Sequence, residues 1–182
     1  HNWIGLPVGS ISSREGILFA AANEFTVRFL GQGTHGATPE KGNNPLIPAA
    51  DTAMRLRSLH QRYAEEHGAV ISVCAIRGGS NSNVIPSEAV LQGTVRYIEK
   101  DLGSEIENAV REEIRSAAES CAMEYDLQYT RRYHIPVIND PGHTRKLQAA
   151  VEKVLGEGAY IPAATHTMGA EDFAFYLDRV PG

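Results

Sequence analysis

Glu24-Phe25-Thr26-Val27-Arg28-Phe29-Leu30-Gly31-Gln32-Gly33-Thr34-His35-Gly36-Ala37-Thr38-Pro39 is the stretch on which the fold turns. Phe25, Val27 and Phe29 alternate with Thr26 and Arg28, the period of a half-buried strand over Glu24 to Leu30. The strand opens into a loop where three glycines surround His35. Few side chains crowd that imidazole, so a ligand can approach the backbone and the ring can donate a hydrogen bond or bind a metal. The plainer alternative is an ordinary solvated turn, which glycine clusters also mark.

Working outward, Val8 to Ser12 and Ile17 to Ala22 read as short extended segments separated by Arg14, Glu15 and Gly16. Downstream, Asn43, Asn44 and Pro45 give a capping signal. Leu46, Ala49, Ala50, Ala53, Met54, Leu56, Leu59 and Tyr63 then recur near helical spacing up to Gly68, with Pro48 tolerated in the first turn. Ala69 to Ile76 is a β-branched strand, Gly78 to Asn83 a polar loop, and Ala89 to Ile98 a further strand. A helix beginning near Asp101 places Ile106, Ala109, Val110, Ile114, Ala117, Ala118 and Cys121 on one face, and Tyr125 to His134 alternates as a last strand.

Strand, helix, strand, strand, helix, strand predicts an α+β, ferredoxin-like βαββαβ domain, an antiparallel sheet with both helices on one face. In that topology Ala69 to Ile76 lies at a sheet edge, where an apolar strand invites a second chain and a homodimer. Beyond Ile135, Asn139, Asp140 and Pro141 cap a helix carrying Leu147, Ala150, Val151, Val154 and Leu155 and closed by Gly156. A polar loop with His166 to Gly169 leads through Glu171, Asp172 and Phe173 into a short helix ending at Leu177. The division expected is a complete domain over 22–134 inserted between two pieces, 1–21 and 135–182, of another domain, the whole being a segment of something longer.

The chain has 182 residues, with 17 basic and 22 acidic side chains and a net charge of -5. That balance offers no cationic stripe for nucleic acid or anionic lipid, and no central strand carries the clustered aromatics of an RNA-binding sheet. No apolar run reaches the roughly 18 residues of a membrane span, and no signal region is present. Cys74 in an apolar strand and Cys121 on an apolar helix face read as reduced, buried thiols of a cytoplasmic protein, with pairing between them left open.

Three further features carry chemistry. Asn83 closes the polar loop before Pro86, where its amide either binds a carboxylate or carbonyl or satisfies its own turn. Arg96 alternates with Val95 and Tyr97, and either forks onto a carboxylate or sits on the surface. Glu171 and Asp172 follow Gly169 at a helix start, and for Asp172 helix capping is the favoured reading.

Taken together, five segments resemble the di-metal amidohydrolases of metallopeptidase family 20, which include hippurate hydrolase, N-acyl amino acid deacylases and auxin-conjugate hydrolases. They are His1-Asn2-Trp3 through Leu6-Pro7-Val8-Gly9, Gly33 to Ala37, Gly78-Gly79 with Asn83 to Pro86, Gly93 to Arg96, and Met168 to Phe173. The resemblance spans essentially the whole chain. It implies a lid and dimerisation domain inserted in an α/β catalytic domain that is only partly present.

The resemblance also implies roles. His1 is similar to a metal-ligand histidine. His35 is similar to the lid histidine that reaches a partner's active site and steadies the substrate carbonyl or carboxylate. Asn83 and Arg96 resemble lid residues contacting the substrate carboxylate, and Gly169 with Glu171 resembles a loop beside the catalytic cleft. Thr34 stands where the family has glycine, and Ala170 where it usually has glycine or serine. The family's Cys-x-His and aspartate-bearing segment, its Glu-Glu pair holding the general base and a bridging ligand, and its last histidine ligand have no counterpart among the matching segments. Two divalent ions (Zn, Mn, Co or Ni) are thus implied for the parent enzyme with an incomplete site here, since one histidine does not supply a co-catalytic pair. His60, His67, His134, His143 and His166 read as surface residues rather than replacements. The function implied is hydrolysis of the amide of N-acyl amino acids or related conjugates; alternatively the chain taken alone is an inactive dimerisation and substrate-gating module, binding no stoichiometric metal pair.

Overall fold

A computed structural model describes all 182 residues, His1–Gly182. In chain order the strands and helices are β1 (Ile11–Ser13), β2 (Gly16–Phe19), β3 (Ala21–Leu30), β4 (Thr34–His35), α1 (Leu46–His67), β5 (Val70–Gly78), β6 (Val84–Ile85), β7 (Glu88–Tyr97), α2 (Leu102–Ser120), β8 (Glu124–Tyr133), β9 (Val137–Asn139), α3 (Pro141–Leu155), β10 (Tyr160–Pro162) and α4 (Ala174–Leu177), with a 3-10 turn at Pro39–Lys41. The chain forms two compact units, one continuous over Ala22–His134 and one made of His1–Ala21 with Ile135–Gly182. The first is therefore inserted in the second.

Within Ala22–His134 the strands lie in the order β5-β7-β3-β8. Numbering them by their place in this unit gives 2-3-1-4, the ferredoxin-like arrangement expected from the element order. β5 pairs with β7 and β3 with β8, both antiparallel, and β5 is an edge strand. The alternation in the opening stretch decides which face is buried. Phe25, Val27 and Phe29 of β3 and Leu91, Val95 and Tyr97 of β7 point into the core, where Leu56, Leu59 and Tyr63 of α1 and Ile106, Val110 and Ile114 of α2 cover them. Each such large side chain contributes roughly 1.5–3 kcal/mol by leaving water.

The opposite face stays polar. Arg28 pairs with Glu88, Arg132 with Glu24 at 3.5 Å, and Gln92 joins Thr26 at 3.3 Å to Arg77 at 2.6 Å. The helices are tied by Tyr63, whose hydroxyl donates to Glu105 at 2.8 Å. The start of α1 is satisfied by Asn44, which accepts the Leu46 N–H at 3.1 Å, and its end by Gly68 in the left-handed conformation at φ 63°. Glu107 of α2 is buried, accepting hydrogen bonds from Arg111 on its own helix at 2.7 Å and Arg131 of β8 at 2.6 Å. Burial alone raises the carboxyl's pKa, but the two guanidinium groups outweigh it and hold the pKa below the usual value. Beside it, Asn23 donates to the hydroxyls of Tyr97 and Tyr129, both at 3.4 Å, and burial pushes Tyr129 up to about 12.

In the other unit, β1 pairs with β10 in parallel and β2 with β9 antiparallel, two contacts between segments far apart in sequence. The cap on α3 is as read: the Asp140 carboxylate accepts the His143 N–H at 2.9 Å, and Pro141 opens the first turn.

Several expectations are corrected. Cys74 is exposed: Ile71 and Val73 take the core-facing positions of β5, opposite Val95 and Gly93, and alternation sets Cys74 on the other face, where the β5–β7 register slips between Val73 and Ala75. Cys121 is not on the apolar face of α2 but is its half-exposed C-cap, and both thiols are free. Met54 and Ile76 are exposed. Along α3 only Val151 of the five apolar positions is buried, and Val154 is 77% exposed. The extended segments before the inserted unit are shorter than expected, and Val8 lies outside them in a turn region.

Candidate functional site

Two groups of the sequence-singled residues come together, one in each unit. In the inserted unit, β4 pairs with β6 so that Thr34 faces Ile85 and His35 faces Val84. This short ribbon forms because the glycines of the loop admit close backbone approach. A side chain at Gly36 would stand 3.2 Å from the Asn83 carbonyl oxygen, and one at Gly33 would stand 3.1 Å from that of Ile85. The Gly36 N–H donates to the Asn83 carbonyl at 2.8 Å, and the Thr38 N–H donates to the His35 carbonyl at 2.9 Å, closing a turn on the imidazole. On the ring, Nδ1 accepts the Ala37 N–H at 3.1 Å. His35 and Asn83 are thus exposed neighbours at the tip of one ribbon. An open groove of about 500 Å³ adjoins them, lined by Gly33, Thr34, Ser80, Ile85, Pro86 and Ser87 among others.

Arg96 is elsewhere. It pairs in register with Val70 near the end of β7, eight residues beyond Glu88, so roughly 26 Å of strand separates it from the ribbon end of the sheet. Its Nε donates to the Thr94 hydroxyl at 3.2 Å, and that hydroxyl donates to the Asn23 carbonyl at 3.0 Å. The same end of the sheet holds Ala22 opposite Tyr133, where the chain enters and leaves the inserted unit. His35 therefore lies at the end remote from those crossings.

In the other unit, the His1 imidazole contacts the Glu171 carboxylate through Nε2 and packs on Phe19, ring centroids 5.0 Å apart. Phe19 bridges to Thr167, and the Ala20 N–H donates to the carbonyls of Thr167 at 3.1 Å and Gly169 at 2.9 Å. These backbone contacts bring the loop around Gly169 to His1. A Cβ at Gly169 would meet its surroundings at ordinary distances, 3.5 Å and beyond. The favoured capping role of Asp172 is corrected: Glu171, not Asp172, accepts the Phe173 N–H with its side chain, at 3.3 Å. A hydrogen bond with Glu171, together with partial desolvation and the like charge, raises the Asp172 pKa. No local pattern signals the His1–Glu171 pairing, although the resemblance sets both near the catalytic cleft; strand contacts between distant segments create it.

A dinuclear metal centre needs more than this. His1 and Glu171 are two donors, and no group of three or more His, Cys, Asp or Glu side chains stands close enough to hold an ion. The residues present do not fit a complete two-metal site. No helix is long and apolar enough to cross a membrane.

Comparison with known proteins places the chain. The peptidase dimerisation domain family of M20 peptidases matches residues 21–121, more than half of the chain. Among curated relatives, an N-acetyl-L-cysteine deacetylase of Bacillus subtilis is 33% identical over 186 aligned positions, covering 100% of this chain and 43% of that protein. An N-acetyldiaminopimelate deacetylase of Enterococcus faecalis is 30% identical, covering 97% and 47% respectively. A solved Bacillus subtilis structure, described as a dinuclear metal-binding peptidase of the M20 family, superposes with a TM-score of 0.73 at 26% identity, over all of this chain and 44% of that one. An aminobenzoyl-glutamate utilization protein from Klebsiella pneumoniae gives a TM-score of 0.77 at 25% identity, over 97% and 44%. The chain thus spans about half the length of the relatives it matches. With a match that covers the inserted ferredoxin-like unit up to the end of α2, the chain belongs to the M20 peptidase dimerisation-domain family.

Proposed function

We propose that this chain supplies the lid and part of the catalytic domain of a metal-dependent amidohydrolase that cleaves the amide of N-acyl amino acids or related conjugates. Residues 22–134 are the lid and dimerisation domain, and 1–21 with 135–182 contribute to the catalytic domain. The observation that carries this reading is His35: it sits on a turn clasped to Asn83 at the end of the sheet remote from the chain crossings. A group so placed suits delivery to the active site of a second protomer. His35 donates to the oxygen that gains charge as the amide is attacked, and Asn83 holds the substrate's carboxylate or carbonyl. Arg96 is a separate carboxylate contact at the other end of β7. His1 is a metal ligand, and Gly169 with Glu171 lies beside the cleft; the two divalent ions of the parent enzyme, which supply an activated water, need ligands outside this chain. Joining of β5 edges makes the homodimer, and two free thiols suit the cytoplasm.

The full-length enzyme, assayed with N-acetyl and N-benzoyl amino acids, tests this. Turnover is expected, falling about a hundredfold or more in His35→Ala, since one such donor contributes roughly 3 kcal/mol to the transition state. Near-normal turnover in that variant with metals bound sinks the role of His35. The second reading, an inactive gating module when the 182 residues stand alone, predicts no hydrolysis by this segment.

A further inference from the structure

The Ala37 N–H turns back onto the residue two before it and donates to Nδ1 of His35 at 3.1 Å. A neutral imidazole carries one ring proton, so a ring whose Nδ1 accepts a hydrogen bond holds that proton on Nε2. The turn is fixed from both sides. The Thr38 N–H and hydroxyl both donate to the His35 carbonyl, at 2.9 and 3.3 Å, while the Gly36 N–H reaches the Asn83 carbonyl at 2.8 Å. The amide that faces Nδ1 is thus anchored by backbone contacts on either flank.

We propose that the Ala37 amide is a positioning group that locks His35 as the Nε2–H tautomer, so that the lid presents a hydrogen-bond donor at Nε2. A lone pair at Nε2 would repel a carbonyl or carboxylate oxygen, whereas an N–H attracts it. Nδ1 is at the same time withdrawn from service as a base or a metal ligand. The tautomer stands on geometry alone; its value to catalysis rests on the role given to His35 above.

The test is a long-range proton–nitrogen NMR spectrum of the chain labelled with nitrogen-15 at histidine and alanine, in mildly alkaline buffer. A protonated Nε2, a bare Nδ1 and a scalar coupling between Nδ1 and the Ala37 amide nitrogen are expected. Averaged ring shifts, or a proton on Nδ1, overturn the proposal. In the full-length enzyme Ala37→Pro removes the donor, and kcat is expected to fall about tenfold with little change in KM, while Ala37→Gly, which keeps the N–H, retains activity. Proline can disturb the turn, so the spectra of the unaltered chain decide the tautomer. If they show the locked ring while His35→Ala leaves turnover unchanged, the tautomer stands and the catalytic role falls.

Discussion

The ring of Phe25 occupies the space in which a side chain at Gly93 would stand. An added Cβ would also press on the Ser72 carbonyl oxygen of the neighbouring strand. Phe25 is 2% exposed and has no room to yield. Gly93→Ala is expected to destabilise the protein by about 2–3 kcal/mol through overpacking, read as a lower urea midpoint. An unchanged midpoint would show that the sheet relaxes around the methyl.

Ala122, just after α2, is held at φ 45°, the one non-glycine residue with positive φ. That conformation costs an L-residue roughly 1–2 kcal/mol, partly offset by the greater freedom glycine has when unfolded. Ala122→Gly is expected to raise stability by up to about 1 kcal/mol in the same denaturation experiment, and a loss of stability would contradict it.

Glu107 links acidity to stability. Its folded pKa is depressed, so the stabilisation is fully present above the unfolded glutamate value of about 4.3 and is lost as pH falls through the lower folded value. At neutral pH, Glu107→Gln is expected to cost about 2–4 kcal/mol, because Arg111 and Arg131 lose their charged acceptor. The gap between native and variant midpoints should narrow on acidification below that range. A gap independent of pH contradicts the ion pairing.

Ile76 is 50% exposed on the edge strand β5. If two β5 edges join, Ile76→Lys places a charge at the seam, and sedimentation should shift from dimer toward monomer with little change in the far-ultraviolet circular dichroism. A dimer of unchanged affinity points to another interface.

The inserted unit was legible because its signals are local. The period-2 alternation at Phe25, Val27 and Phe29 and the helical recurrence from Leu56 to Tyr63 each declare a buried face within a few residues. The unit around it was less so. β9 and β10 are three residues each and exist only because β2 and β1 lie beside them, and α3 keeps an apolar sequence largely exposed. Cys74 stands outward one residue past Val73, a placement that the apolar composition of the run conceals. At the site, glycine spacing pointed to the His35 turn, whereas the Ala37 amide is a backbone group that any residue but proline supplies and no motif encodes.

Ala22 stands opposite Tyr133 across two hydrogen-bonded strands, so the ends of the inserted unit lie about one strand spacing apart. For the flanking segments, roughly a hundred intervening residues then act as a connection scarcely longer than a hairpin turn. As an unfolded loop they would oppose pairing of β2 with β9 with a closure entropy that grows as the logarithm of length; once folded, they hold the two ends in register. Assembly should therefore run from the inside outward, with the interrupted unit acquiring its strands only after the interruption has folded.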